Sequence, residues 1–198
     1  MSSTMTRVDG YGEDLAAIHA AGFTDIARAA GEELLARLDG PARVVDLGCG
    51  DGTTAALLAA GEVLGYALDA RNDDATLDAV LARAAAALRP AGLLLFDLAG
   101  PGRIPASGQH TWTEGDGWAV LAEARARPHA IERRVVTFRD LGGGHFRRSE
   151  ETHRLLLHRP ADVLARLRAA GFTARVLPDG YAGEPLPRGL TAYLARRR

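Results

Sequence analysis

The chain has very little cysteine, and this excludes a disulfide framework. Its 198 residues include one cysteine, Cys49, so no internal disulfide can form and a reducing compartment is expected. The first stretch, MSSTMTRVDG, has no apolar signal core, and no run approaches the roughly 18 apolar residues of a membrane span. We therefore expect a cytoplasmic chain with no membrane partner.

A strong net charge of either sign is also lacking. The formal net charge is -1, so no overall basic field exists to recruit nucleic acid. The six histidines occur without an H-E-x-x-H motif or a cysteine partner, which argues against a metal site. These absences argue against a nucleic-acid partner and predict no oligomeric state.

Hydrophobic spacing predicts strands that alternate with helices, an order typical of an α/β sheet. A continuously apolar strand such as LLLFD is typical of a parallel sheet buried on both faces. The predicted elements are two helices within 13–38, a strand at 44–47, a helix over 73–90, a strand at 93–97, a three-stranded antiparallel meander over about 117–157, a helix over 160–171, and the closing strands FTARVL and LTAYLA.

The run VVDLGCGDG carries the strongest functional signal. A buried strand delivers Asp46 to its carboxyl end, while Gly48 and Gly50 permit a tight turn and close approach of a ligand. The helix that follows offers free backbone N–H groups, and ligands of open α/β sheets bind at this edge. Strand, acid, G-x-G and helix together predict a nucleotide-type cofactor site.

Several stretches resemble one known family. DLGCGDG looks like the first motif of class I S-adenosylmethionine-dependent methyltransferases, and LRPAGLLLFD is similar to that family's fifth-strand region. FTARVL with LTAYLA resembles the closing hairpin of its sheet. The meander resembles the lid of the small-molecule branch, and YGEDLAAIHAAGF resembles the helical cap of that branch. The resemblance implies a Rossmann-like methyltransferase sheet with an antiparallel insertion.

The resemblance also implies a cofactor, S-adenosyl-L-methionine, and positions for it. Asp46, Gly48, Cys49 and Gly50 would surround its methionine end, and Tyr11 would lie over it from the cap. The whole chain, 1–198, would be a single methyltransferase-like domain. Its parts would be a helical cap (1–40), a cofactor-binding part (41–100), an antiparallel lid (107–158), and a closing helix and hairpin (159–198).

The stretch after the glycine loop is too short for a complete cofactor domain. One further βαβ unit needs about 30 residues, and residues 61–72 cannot supply it. In one interpretation EVLGYALD is the second strand and Asp69 binds the ribose. In the other, which is favoured because the match continues in frame through NDDATLDAVLARAAAALRP, GEVLGYALD follows the fourth strand. The second to fourth strand region is then missing, the sheet is shortened, and Gly61 and Glu62 approach the cofactor.

The function that these features favour is methyl transfer from S-adenosylmethionine to nitrogen or oxygen of a small-molecule acceptor. The alternative is an inactive methyltransferase-like binding or interaction protein with an incomplete cofactor site. A nicotinamide-type binder is disfavoured because GCGDG is not G-x-G-x-x-G. No catalytic residue is assigned. The candidates for a base are His19, His110, Glu114, His145 and His153.

Arginines offer further polar groups. Those of the meander could meet an anionic acceptor, although a solvated sheet face is the simpler interpretation: Arg133, Arg134, Arg139, Arg147 and Arg148. The motif GPGR at 100–103 follows Asp97 at the carboxyl end of its strand. It could shape the acceptor pocket, although a turn is its simplest interpretation.

Overall fold

The computed structural model describes residues 6–8, 12–38, 58–59, 62–66 and 74–198. Its helices are α1 (Glu13–Gly22), α2 (Asp25–Leu35), α3 (Asp74–Ala87) and α4 (Pro160–Ala169). Its strands are β1 (Thr6–Val8), β2 (Leu58–Ala59), β3 (Leu93–Ala99), β4 (Gln109–Gly115), β5 (Trp118–Ala126), β6 (Ala130–Asp140), β7 (Phe146–Leu156), β8 (Phe172–Leu177) and β9 (Leu190–Arg197). Among these residues no helix combines the length and the apolarity needed to cross a membrane.

A four-stranded sheet in the order β2-β3-β9-β8 forms the mixed half of the fold. β3 pairs parallel with β2 and antiparallel with β9, where Phe96 faces Tyr193. All seven residues of β3 are buried, because α3 and α4 cover one face through Leu81 and Leu167, and α2 covers the other through Leu34. The prediction of a strand buried on both faces is confirmed.

The two helices predicted within 13–38 are also confirmed. α1 ends at Gly22 and α2 begins at Asp25, so the chain breaks at Gly22, a residue type that disfavours a helix interior. Gly31 lies inside α2 and is buried there. A glycine has no side chain to hold a helix off its neighbour, and at this position it lies on the face that also buries Ala30 and Leu34.

A five-stranded sheet, which we call the lid sheet, has the order β1-β7-β6-β5-β4. β4 to β7 form an antiparallel meander, and β1 pairs parallel with β7. The three predicted meander strands correspond to β5, β6 and β7. The structure adds β4, whose sequence QHTWTEG has almost no apolar residue to mark a strand; it pairs with β5 as an exposed outer strand.

The chain turns where one interpretation requires a strand. Val63–Gly65 form a 3₁₀ turn, and Glu62 before it has φ 66°, so this part of EVLGYALD is not extended. Immediately upstream, β2 lies parallel to β3. A strand beside β3 that leads into GEV agrees with the second interpretation of this stretch. Asp69, the predicted strand at 44–47 and the glycine loop lie outside the described residues.

Candidate active site

A cavity of about 290 Å³ lies between the lid sheet, α1 and the residues that follow β2 and β3. Because β2 and β3 are parallel, the segments that leave their carboxyl ends meet at one edge. Glu62 comes from the first segment and Arg103 from the second. α1 contributes Leu15 and His19 from the opposite side. The cavity therefore lies at the edge where open α/β sheets bind their ligands.

Strand alternation builds the inner face of the lid sheet. Side chains alternate between two faces along each strand, and the register aligns the inward ones in three rows across β4 to β7. The rows are Gln109, Ala124, Arg133 and His153; then Thr111, Ala122, Val135 and Glu151; then Thr113, Val120, Thr137 and Ser149. Small and hydroxyl side chains at the β4 and β5 ends leave space, and the β6 and β7 end of the first two rows carries three ionisable side chains, Arg133, His153 and Glu151.

Asp97 and Glu62 form the joint between the two sheets. Asp97 is fully buried near the end of β3. Its Oδ1 accepts a hydrogen bond from the Glu62 N–H at 2.6 Å, and its Oδ2 accepts one from the Tyr181 hydroxyl at 2.9 Å. Burial, with the Asp97 carboxylate close by, raises the pKa of Tyr181 well above its usual value, so the hydroxyl stays protonated as a donor.

The Glu62 carboxylate bridges two guanidinium groups. Arg103 Nε donates to Oε1 at 2.7 Å, and Arg133 Nη2 donates to Oε2 at 3.1 Å. Arg133 Nη1 also donates to the Tyr66 hydroxyl at 3.4 Å. Burial would lower the pKa of Arg133, but Tyr66 and Glu62 outweigh it and raise that pKa. Burial raises the pKa of Tyr66, so the contact joins a charged guanidinium to a neutral phenol.

His153 and Glu151 form a buried pair on β7. His153 Nε2 lies 2.9 Å from Glu151 Oε2, and each side chain is 1% exposed. The Tyr66 ring meets the His153 ring edge-on at 5.3 Å, and the backbone of Tyr66 forms a β-bridge with Leu155. The 62–66 segment is therefore held against β7 by both backbone and side chain.

His19 faces the same cavity from α1. Its ring packs against Phe23 at 5.1 Å. Burial lowers the pKa of His19, His153 and Arg133 lower it further, and Glu151 acts in the opposite direction. Because the net result is a pKa below 6.5, the imidazole is neutral at pH 7.

An ionic clamp holds α1 on the lid sheet. Asp14 of α1 accepts hydrogen bonds from Arg147 Nε at 2.9 Å and from the Ser149 hydroxyl at 2.6 Å, and Arg139 lies 3.6 Å away. Burial would raise the pKa of Asp14, but the hydrogen bonds from Arg147 and Ser149 bring it below its ordinary value. The clamp fixes the helix that carries His19.

The structure brings some of the predicted residues together and separates others. Glu62 is at the cavity, whereas Tyr11, Asp46, Gly48, Cys49, Gly50 and Gly61 lie outside the described residues. Of the candidate bases, His19 and His153 line the cavity. His110, Glu114 and His145 are exposed, the first two on the outer face of β4.

The meander arginines divide by face. Arg133 lies on the inner face, and Arg139 and Arg147 serve the Asp14 clamp. Arg134 and Arg148 bind Glu150 on the outer, solvated face. The interpretation of a solvated face therefore holds for Arg134, which is 49% exposed, and is wrong for Arg133, which is 18% exposed.

Sequence reasoning assigned no role to Tyr66, which lines the cavity, or to Glu151, which pairs with the cavity residue His153, and it considered Arg103 only as part of the GPGR motif. Arg103 had a usable signal, since GPGR follows a buried strand. The turn expected there is present, because Arg103 N–H donates to the Gly100 carbonyl at 3.2 Å. Glu151 and Tyr66 had none, because their roles depend on pairing between distant strands. Among the described residues no group of three or more His, Cys, Asp or Glu could hold a metal ion.

No family model and no curated protein matches this sequence, but solved structures do. An S-adenosylmethionine-dependent methyltransferase from Clostridium acetobutylicum superposes with a TM-score of 0.56 over 71% of this chain, at 14% identity. CalS10, an amino pentose methyltransferase from Micromonospora echinaspora, gives 0.51 over 80% at 19% identity. The sugar N-methyltransferase KedS8 from a Streptoalloteichus species gives 0.52 over 98% at 22% identity.

This chain is shorter than those proteins. It covers 56% of the Clostridium protein, 63% of CalS10 and 79% of KedS8, so it spans less than two thirds of the first two. The shared part includes both halves of the molecule, because 98% of the chain aligns with KedS8. The chain has the fold of the class I S-adenosylmethionine-dependent methyltransferases.

Proposed function

We propose that this chain transfers a methyl group from S-adenosylmethionine to nitrogen or oxygen of a small molecule held in the cavity. The main support for the proposal is the location of the cavity, at the carboxyl edge of β2 and β3 and beneath the lid sheet. Its volume of about 290 Å³ is at the lower end of the roughly 300–1,000 Å³ of small-molecule sites. A single-ring acceptor suits that volume, and two similar structures bear the names of sugar methyltransferases.

The charged groups at this edge fit one end of the cofactor. The α-ammonium group of its methionine end is positively charged, and the carboxylates of Glu62 and the buried Asp97 lie at the edge. We infer that Asp46, Gly48, Cys49 and Gly50 would hold the methionine end, with Gly61, Glu62 and Tyr11 beside it. When bound, the cofactor supplies a methyl group on a positively charged sulfur.

The chain itself would contribute mainly positioning. Holding the acceptor atom in line with the methyl group can supply roughly 7–11 kcal/mol of the barrier. Thr111, Thr113 and Gln109 line one side of the cavity and can orient acceptor hydroxyl groups. Leu15 and Val120 pack between α1 and the lid sheet and exclude water from that side.

His19 is the residue that we propose as proton acceptor. An ammonium group has no lone pair, so it must lose a proton before it can attack, and a hydroxyl needs the same help. His19 lines the cavity, and its lowered pKa keeps it neutral and able to accept a proton at pH 7. His153 is less suited to this role because its Nε2 already contacts Glu151 at 2.9 Å.

Calorimetric titration with S-adenosylhomocysteine tests the proposal directly. We expect saturable binding to the wild-type chain and weaker binding to Asp46→Asn, because the predicted acid at the glycine loop is then neutral. The matched control is Glu184→Gln, which neutralises an exposed acid in the loop before β9 and should bind as the wild type does. Absence of binding at millimolar ligand, with no heat at two temperatures, would refute methyl transfer by this chain.

One observation favours the alternative of a binding protein without activity. Glu62 has its N–H, its carbonyl and its carboxylate all engaged within the chain, with Asp97, Gly65 and the two arginines. A residue so occupied has little left for a cofactor. The two functions separate in the titration: a methyltransferase must bind S-adenosylhomocysteine, whereas an inactive binding protein with an incomplete site would not.

A further inference from the structure

We propose that the cavity recognises an oxyanion, a carboxylate or a phosphate, on its small-molecule ligand, and that Arg103 is the residue that binds it. The inference rests on the proposed function in that it treats this ligand as the methyl acceptor. It adds a substrate class, an acidic small molecule.

The first observation is how the Arg103 side chain is used. It lines the cavity and is 18% exposed. Its Nε donates to Glu62 Oε1 at 2.7 Å. Within the part of the chain that the structure describes, the Arg103 side chain makes no other hydrogen bond. Both terminal nitrogens, Nη1 and Nη2, are therefore left for a ligand. They are one edge of the planar fork with which arginine binds a carboxylate or phosphate through two parallel hydrogen bonds.

The second observation is that Arg133 is used differently. Its Nη1 and Nη2 donate to Tyr66 and Glu62, so it is a structural partner. Two guanidinium groups thus share one carboxylate, and Glu62 can balance one of the two positive charges. The two arginines therefore differ in what they offer a ligand: Arg133 has both terminal nitrogens engaged within the chain, and among the described residues Arg103 has only its Nε engaged.

The third observation is that Arg103 is held in place before any ligand arrives. The Gly100 N–H donates to the Gly189 carbonyl at 2.7 Å. Gly189 has φ 74°, and a Cβ there would overlap the backbone of Arg103. The far end of the Arg103 side chain is fixed by the Glu62 carboxylate. The backbone of Glu62 is itself in a left-handed conformation that only glycine adopts freely. A preorganised guanidinium loses less entropy on binding.

Matched probes test this without knowledge of the natural acceptor. Benzoate and benzamide have nearly the same shape, but only benzoate carries a negative charge, and phenyl phosphate carries a different oxyanion. Each is titrated into the wild-type chain and followed by NMR through the Nε–Hε signal of Arg103. We expect benzoate or phenyl phosphate to bind about tenfold or more tightly than benzamide, and the stronger of the two names the oxyanion. Equal binding of all three probes, or none, would overturn the inference.

Variants then assign the effect to Arg103. Arg103→Gln should reduce oxyanion binding about tenfold or more and leave benzamide unchanged. Arg134→Gln, on the outer face of the lid sheet, is the matched control and should bind as the wild type does. If both variants bind the oxyanion equally well, the inference is wrong. The benzoate and benzamide comparison needs no variant, so poor folding of Arg103→Gln would not remove the test.

A repeat with S-adenosylhomocysteine present separates this inference from the proposed function. Oxyanion binding should persist when the cofactor product is saturating. Displacement of the oxyanion by S-adenosylhomocysteine would mean that Arg103 holds the cofactor carboxylate, which overturns the inference and supports methyl transfer. Arg103-dependent oxyanion binding by a chain that does not bind S-adenosylhomocysteine would leave the oxyanion site standing and remove methyl transfer.

Discussion

The two sheets of this molecule differ in what covers them. In the four-stranded sheet β3 is buried along its whole length, with helices on both faces. In the lid sheet β4 is almost entirely exposed, and its neighbours bury one face and present charged pairs on the other. A sheet covered on both sides gains stability from apolar burial. A sheet covered on one side can line a cavity, and here it lines one with charged groups.

The difference places stability and chemistry in different halves. Loops and single-sided surfaces carried by a rigid scaffold are where binding residues concentrate. The four-stranded sheet is that scaffold, and its contribution to the cavity comes from the segments that leave β2 and β3. Glu62 belongs to both halves, since Asp97 holds its backbone and Arg133 of the lid sheet holds its side chain.

Removing apolar volume from the four-stranded sheet should have the largest effect. Phe96 is fully buried and stacks on Tyr193 at 5.1 Å. Phe96→Ala should lower the free energy of unfolding by about 3–5 kcal/mol, through lost burial and the cavity that remains. Urea denaturation followed by circular dichroism measures it.

The control is a large apolar residue of the lid sheet hairpin. Leu141 is 60% exposed at the β6–β7 turn, and Leu141→Ala should change the free energy of unfolding by about 0.5 kcal/mol or less. Equal losses for Phe96→Ala and Leu141→Ala would contradict the division between scaffold and lid.

Breaking the joint between the halves should have the next largest effect. Glu62→Ala leaves two largely buried guanidinium groups without their carboxylate. We expect a loss of roughly 2–3 kcal/mol, below the roughly 3–5 kcal/mol of a fully buried pair, because Arg103 and Arg133 keep 18% exposure. Glu62→Gly should be less damaging by about 1 kcal/mol, because glycine adopts the φ of 66° without strain.

An exposed ion pair provides the comparison. Glu32 and Arg28 on α2 are separated by 2.9 Å, with about half of each side chain exposed, and Glu32→Ala should cost roughly 0.5 kcal/mol or less.

The order of the two Glu62 variants tests the backbone conformation of Glu62. If Glu62→Gly were more damaging than Glu62→Ala, the left-handed conformation of Glu62 would be wrong.

The Asp14 clamp should have a smaller, pH-dependent effect. Asp14→Asn should cost about 1 kcal/mol at neutral pH, as expected for lost charge-assisted hydrogen bonds to partly exposed partners. The folded pKa of Asp14 lies below 3.8, so its stabilising contribution is complete above that value and is lost as the pH falls through the folded pKa. The difference between wild type and variant should therefore be constant above about pH 5 and narrow below about pH 4. A difference that grew on acidification would contradict the clamp.

The sequence predicts the four-stranded sheet better than it predicts the inner face of the lid sheet. The apolar run LLLFD and the helical stripe with Leu77 and Leu81 identify buried elements by local pattern, and the structure confirms them. The inner face of the lid sheet depends on register instead. Arg133 and Arg134 are neighbours in sequence but bind Glu62 inside and Glu150 outside. A one-residue slip in pairing would exchange them, so composition alone could not assign either role.

Other features could not be predicted from the sequence, each for its own physical reason. β4 is an outer strand without an apolar face, so its pairing with β5 leaves no hydrophobic signal. Glu62 adopts a left-handed conformation that residue type disfavours, and only its buried contacts explain it. The glycine loop was the clearest motif in the sequence, but its cofactor role stays a prediction until binding is measured.

The smallest expected effect is a change in the pKa of His19, which also tests most sharply how the two faces of the lid sheet differ. Arg133 and Arg134 are adjacent arginines, yet only Arg133 is among the groups that lower the pKa of His19, after burial itself. Arg133→Gln should raise the pKa of His19 toward 6.5, while Arg134→Gln should leave it as in the wild type. Titration of the His19 ring by NMR measures both. Because His153 also lowers this pKa and Glu151 raises it, removal of Arg133 alone should give a partial shift. Equal shifts from the two variants would mean that the inner row does not set the charge environment of the cavity.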